Sequence, residues 1–279
     1  MSLVNMNEML KDASKHNYAV GAFNMVDINS MKAILDGAVE MNMPVIVSVA
    51  EVHFRYIDIE ELSAVITSLA SKAPVPVALH LDHGQSLNAI MKAVQSGFTS
   101  VMYDGSQLPL EENIANTAEI VKFAHAADIS VEAELGHVGE GADMLEIDNA
   151  DLLTSPSEAD LFIEKTGVDA LAVAVGSAHG VYKRKPKLDL ERLQKIKQLT
   201  DIPLVLHGGS GIPDEDLRKS IKSGIAKINV YTELSQQAMA GISKELTKNE
   251  NIGYPEIKEK AYQNMKYIVE QKIKIFKIN

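Results

Sequence analysis

The stretch Val77-Ala78-Leu79-His80-Leu81-Asp82-His83-Gly84 begins as a short apolar run and ends in an acid, a histidine and a glycine. Such a run, bounded by turn chemistry, reads as a buried strand over Val77–Leu81, with Asp82 and His83 where the strand gives way to a loop. The same form recurs in both directions at intervals of roughly 25–40 residues, the rhythm of repeated βα units. Before it lie the expected strands Ala19–Phe23 and Val45–Val49. After it come Ser100–Tyr103, Ser130–Glu134, Ala170–Val175, Leu204–Leu206 and Ala226–Asn229, making eight in all. Amphipathic stretches separate them at Ser30–Met41, Glu60–Ser71, Leu87–Ser96, Leu110–Ala126, Ser157–Lys165, Leu190–Leu199 and Asp214–Ser223, and Pro255–Phe276 reads as a closing helix. Eight strands alternating with helices predict an α/β fold, a (β/α)8 TIM barrel. No linker or composition shift marks a second domain, so residues 1–279 are read as one unit.

Composition narrows the chemistry. With 279 residues, 46% of them hydrophobic, the chain can bury a large core. A net charge of −11 argues against a broad nucleic-acid or anionic-membrane surface. The absence of cysteine removes disulfides, thiolate nucleophiles and sulfur metal sites, so any metal must be held by His, Asp or Glu. No run approaches the ~18–20 apolar residues of a membrane span, and the N-terminus carries no basic stretch before an apolar one. A soluble, cytoplasmic protein is the expectation.

Ionisable residues gather where the expected strands end: Asp82 and His83 after the third, Asp104 after the fourth, Glu134 closing the fifth, His179 after the sixth and His207 after the seventh. In a barrel of this kind those ends converge on one face. One histidine at a strand end is more often structural. Three of them, His83, His179 and His207, beside two carboxylates, suit a catalytic zinc site with a position left for substrate. Glycines cluster at the same end, in Gly176-Ser177-Ala178-His179-Gly180 and His207-Gly208-Gly209-Ser210-Gly211. Such loops are often plain turns, but after strand seven their N–H groups, with the Ser210 hydroxyl, suit a phosphate. Asn229 and Thr232 close the eighth strand beside them.

These strings resemble the class II fructose-/tagatose-bisphosphate aldolase family over nearly the whole chain. The matching segments are Gly21-Ala22-Phe23-Asn24, the opening Val77–Gly84 stretch, Val131-Glu132-Ala133-Glu134-Leu135-Gly136, the two glycine clusters, and Lys227-Ile228-Asn229-Val230-Tyr231-Thr232-Glu233. The resemblance implies a dimeric or tetrameric TIM barrel that makes or cleaves a ketose phosphate, with dihydroxyacetone phosphate as the shared product or donor. It implies zinc, or another divalent ion, on His83, His179 and His207, with Asp104 and Glu134 at an alternative or second metal position. Asp82 matches the acid/base on the aldehyde side. Asn24, Gly180, Gly208, Gly209, Ser210, Asn229, Val230, Tyr231 and Thr232 match substrate-binding segments, where a monovalent cation often accompanies the phosphate. The metal then serves as the electron sink that a lysine Schiff base provides in class I enzymes. No lysine lies in 170–180, where a class I barrel would place one, and Lys227 is expected toward the opposite end in a structural or salt-bridging role.

The sequence departs from the family in four places. The family's Gly-Gly-x-Glu-Asp string, whose glutamate takes the donor's C1 proton, is replaced by Gly139-Glu140-Gly141-Ala142-Asp143. Ala142 stands where the base belongs. Glu140 is the preferred substitute, with Asp143, Glu146 and His137 behind it. Strand two ends Ser48-Val49-Ala50 in place of a Gln-x-Ser string, and no arginine follows Arg218 to grip a second phosphate. Tyr231 replaces the aspartate of fructose-specific members. The donor half is intact while the aldehyde half differs, which suits a tagatose-like or less characterised branch, or a ketose 1-phosphate. Arg55 and Arg184, on loops at the expected active face, could bind an acidic group, though ordinary surface salt bridges are the commoner role for such arginines. A non-catalytic or regulatory paralogue that keeps zinc and sugar-phosphate binding is the competing reading, and a class I lyase or isomerase on the same barrel is the third.

Overall fold

Met6, Met9, Leu10 and Ala13 recur at helical spacing and are all buried, which makes α1 (Met6–His16) a plug under the barrel. The chain, a computed structural model that describes residues 3–139 and 152–277, then alternates strand and helix. The elements are β1 (Val20–Asn24), α2 (Ile28–Met41), β2 (Val45–Ala50), α3 (Ser63–Lys72), β3 (Val77–Gly84), α4 (Leu87–Gln95), β4 (Ser100–Tyr103), α5 (Leu110–His125), β5 (Ser130–Leu135), α6 (Pro156–Thr166), β6 (Ala170–Val173), α7 (Leu190–Leu199), β7 (Leu204–Leu206), α8 (Asp214–Lys222), β8 (Ile225–Val230), α9 (Thr232–Lys248) and α10 (Tyr254–Phe276). Neighbouring strands pair in parallel and β8 returns to β1, so the sheet closes into the expected (β/α)8 barrel.

Alternation along each strand sorts the side chains into layers. Outward residues such as Val47, Leu79, Val101, Val131 and Leu171 pack beneath the helices. The lowest inward layer is small and apolar, with Ala22, Ile46, Ala78, Ala172 and Val205 against α1. Above it lies a fully buried polar layer containing Ser48, His80, Ser100, Glu132 and Lys227. Asn24, Asp82, Glu134, His207 and Asn229 form the layer above that, at the C-terminal ends of the strands.

Two helices, α1 and α9, go beyond the sequence expectation. The first precedes strand one and the second follows strand eight, outside the βα rhythm. The long α10 packs on α2 where Gly37 admits it: a Cβ there would lie 2.8 Å from Val269 Cγ1. Its Val269, Ile273 and Phe276 are buried, each contributing roughly 1.5–3 kcal/mol before entropic costs. Among the described residues no helix is long and apolar enough to cross a membrane.

Candidate active site

In a regular strand, adjacent Asp82 and His83 would point to opposite faces. The end of β3 is irregular: its register against β4 shifts between Leu81 and Gly84, and His83 has φ 47°, unusual for a residue with a Cβ. Both side chains therefore reach the barrel mouth. They line a cavity of about 430 Å³ together with Asn24, Asp104, Glu134, His179 and the loops that follow β7 and β8.

His83, His179 and His207 each direct a ring nitrogen into one cluster, with ligand atoms within 4.8 Å of one another. The residues come from the ends of β3, β6 and β7, and span 124 positions between His83 and His207. His83 Nε2 faces His207 Nδ1 at 2.8 Å. The outer nitrogens of both rings are engaged by carboxylates: His83 Nδ1 by Asp104 Oδ2 at 2.7 Å, and His207 Nε2 by Glu132 Oε1 at 2.9 Å. Two facing ring nitrogens so constrained need positive charge between them, from a proton or a metal ion. Burial opposes charge on His83, but Asp82, Asp104 and Glu134 outweigh it and push its pKa up to about 10. His179 is held down to about 3 by burial and by the two neighbouring histidines, so it is a neutral donor.

His83, Asp104 and Glu134 form a second set of donors with the same spacing limit. Glu134 Oε1 accepts from the Val138 N–H at 3.1 Å, while Oε2 is buried without a partner. Burial and the nearby Asp104 push the Glu134 carboxyl up to about 8. A buried carboxylate oxygen with no hydrogen-bond partner, 4.0 Å from His207 Nδ1, fits a divalent cation in donor chemistry.

Asp82 is gripped at both oxygens, by Asn24 Nδ2 at 2.7 Å and Asn229 Nδ2 at 2.9 Å. Burial would favour its neutral form, but the charges of His83, His207 and Lys227 outweigh this and keep it ionised well below the usual carboxylate range. Each oxygen retains a free lone pair for a substrate proton.

The glycine loops meet on the other wall. Gly180, Gly208, Ser210, Asn229, Tyr231 and Thr232 line the cavity. Gly208 has φ +66°, and a Cβ there would overlap the Ala178 carbonyl, so only glycine lets the two loops meet this closely. Tyr182 stitches them together: its hydroxyl accepts from Ala178 N–H at 2.7 Å and donates to Gly208 O at 3.0 Å. The α9 helix begins at Thr232, and its first turn is tied to the glycine loop by the Glu233 N–H, which donates to Ser210 Oγ at 3.2 Å; the positive end of the helix favours an anion here. Gly209 lies behind this wall with its N–H spent on Asn229 O, and the Val230 side chain packs in the outer core.

Glu140, Asp143 and Glu146 lie outside the described residues. His137 is described: it lines the cavity, and its Nδ1 is buried without a partner. Lys227 is in an ion pair with Glu132 one layer beneath the histidines, and no lysine lines the cavity among the described residues. Residues that the sequence reading passed over are Glu132, His80 and His53. The His53 ring lies 4.6 Å from that of Tyr231 at the cavity edge. Arg55 stacks over the Tyr56 ring at 4.7 Å, and Arg184 lines a neighbouring recess.

Residues 4–279 match the family model described as fructose-bisphosphate aldolase class-II. The crystal structure of the YdjI aldolase from Escherichia coli K12 is similar at 36% identity and a TM-score of 0.87, over 98% of this chain and 97% of that one. Fructose-bisphosphate aldolase (Fba) from Campylobacter jejuni shares the fold, with a TM-score of 0.84 at 24% identity over 99% of this chain and 96% of that one.

Proposed function

The chain belongs to the class II fructose-bisphosphate aldolase family, and from that membership we propose a zinc-dependent aldolase that reversibly cleaves a ketose phosphate to dihydroxyacetone phosphate and an aldehyde. The observation that carries this reading is the convergence of His83, His179, His207 and Asp82 on one cavity walled by glycine loops. The three histidines would hold the ion, with Asp104 and Glu134 offering a second position. Bound there, a divalent ion supplies Lewis acidity to the carbonyl and hydroxyl oxygens of the three-carbon donor half.

The chain's own groups do the rest. In cleavage, Asp82 accepts the proton of the hydroxyl that becomes the aldehyde oxygen as the C3–C4 bond breaks, and in synthesis it returns that proton. Asn24 and Asn229 hold it in place for both steps. Gly180, Gly208 and Ser210, with the start of α9 at Thr232, hold the donor phosphate, and a monovalent cation would complete that cradle. We assign Glu140 the proton transfer at the donor carbon, with His137 as the second candidate. Retention of solvent deuterium exchange at dihydroxyacetone phosphate in E140Q or H137Q separates them, since the true base is the one whose loss abolishes exchange.

At the aldehyde end the wall is His53, Tyr231 and Ala50, with no arginine among the residues lining the cavity. Burial lowers the His53 pKa, so a neutral imidazole faces that end, suited to a hydroxyl better than to a second phosphate. We therefore favour a ketose 1-phosphate, turned over by a cytoplasmic homodimer or homotetramer. A panel of ketose 1-phosphates and 1,6-bisphosphates tests it: kcat/KM should favour the 1-phosphates, and preference for a bisphosphate would overturn that choice. Zinc binding without any turnover would favour a non-catalytic paralogue.

A further inference from the structure

Beneath the histidine cluster is a polar chain that the steps above do not use. Glu132 has no exposed surface; its Oε1 is 2.9 Å from His207 Nε2 and its Oε2 is 2.6 Å from Lys227 Nζ. Lys227 is equally buried, and its Nζ lies 3.3 Å from His80 Nε2. Desolvating such an ion pair is costly, and an apolar pair of similar volume is usually at least as stable. The layer just below is built from alanine, isoleucine and valine, so the barrel accommodates apolar filling. A buried pair kept here calls for a reason other than stability.

The geometry supplies one. A carboxylate only accepts hydrogen bonds, and with Oε2 taken by Lys227 the remaining oxygen must receive the His207 Nε2–H. That proton assignment leaves the lone pair of His207 on Nδ1, the atom turned toward His83 and the cluster. The other tautomer would put a lone pair against the carboxylate and a proton where a ligand atom is needed. We propose that Glu132, anchored by Lys227, is the positioning residue that fixes the His207 tautomer and so presents Nδ1 as a metal-ligand atom. The proposal rests on the reading of the three histidines as a metal site.

Two double variants test it without stranding a charge. E132Q/K227M keeps an acceptor oxygen opposite His207, and E132L/K227M removes it, while both lack the ion pair. Zinc dissociation constants are read by chelator competition, with the H179A variant as control, and the ring-nitrogen shifts of His207 report its tautomer in the metal-free protein. The Gln variant should bind zinc within about threefold of wild type and keep its proton on Nε2. The Leu variant should lose ~10–100-fold in zinc affinity, the usual cost of removing such a partner, and show mixed tautomers. Equal zinc affinity in the two variants, with only thermal stability changed, would overturn the proposal and leave the metal site standing. Wild-type zinc binding that H179A does not weaken would instead bring down the metal site itself, and the proposal with it.

Discussion

Tyr182→Phe removes a single oxygen, the one that joins the two glycine loops of the candidate phosphate site. The hydroxyl accepts from the Ala178 N–H and donates to the Gly208 carbonyl, at 2.7 and 3.0 Å. Ala178 is fully buried, so its N–H is left without a partner, at a cost of about 1–3 kcal/mol. For a chain of this size that corresponds to a fall in Tm of roughly 2–10 °C. The phosphate is held alike in the ground and transition states, so the loosened cradle should act through KM, rising about 3–10-fold, with kcat changed little. Thermal unfolding and steady-state release of dihydroxyacetone phosphate measure both. If Y182F keeps its Tm within about 1 °C and its KM unchanged, the loops are held together by something other than this phenol and the cradle has been misread.

Three further outcomes follow from the same geometry. Glu233 joins Lys272 on α10 at 2.6 Å and accepts from the Gly211 N–H at 2.7 Å, so Glu233→Ala leaves a buried ammonium unpaired and frees the loop. A loss of about 2–4 kcal/mol in denaturant unfolding is expected, below the full cost of breaking a buried pair because Glu233 keeps part of its surface in water. Gly208→Ala must force a Cβ against the Ala178 carbonyl at φ +66°, and should lower stability by about 2 kcal/mol or more and abolish phosphate-dependent binding in calorimetry. The metal-free protein should lose stability as pH rises. The His83 pKa is raised from 6.5 to about 10, a contribution complete below 6.5 and lost as pH climbs toward 10; that of Glu134 is raised from 4.5 to about 8, a penalty that grows across that window. Metal affinity should run the other way, rising with pH because the ion displaces a proton from His83. Melting curves with and without zinc at pH 6.5 to 9.5 check both signs, and a metal-free Tm that rises over that range contradicts them.

Strand-end residues were legible because a barrel gathers them by topology alone, whatever their separation in sequence. Asp82, His83, Asp104, Glu134, His179 and His207 are thus grouped by the sequence itself. The layer beneath was less visible because Glu132, His80 and Lys227 sit inside strands that otherwise read as apolar runs. A signal was present: His80 and Asp82, Glu132 and Glu134, and Lys227 and Asn229 are each two apart, the spacing that puts neighbours on one face of a strand. Polar pairs at that spacing on three buried strands imply a polar interior, not three isolated anomalies. Lys227 was expected toward the opposite end, and it does bridge to a carboxylate, but one layer below the histidines. The irregular end of β3 could not be foreseen, since it depends on a register shift against β4 and on the positive φ of His83. The α1 plug was readable from Met6, Met9, Leu10 and Ala13, although its role appears only once the barrel has a floor to close.

The central claim is tested most directly by following dihydroxyacetone phosphate release from a ketose 1-phosphate by enzyme stripped of metal with a chelator, then titrated with zinc. Activity should vanish on stripping and return in proportion to zinc, reaching full rate near one ion per chain, and the H207A variant should not recover. Cleavage that persists after complete metal removal would contradict a metal-dependent mechanism built on His83, His179 and His207.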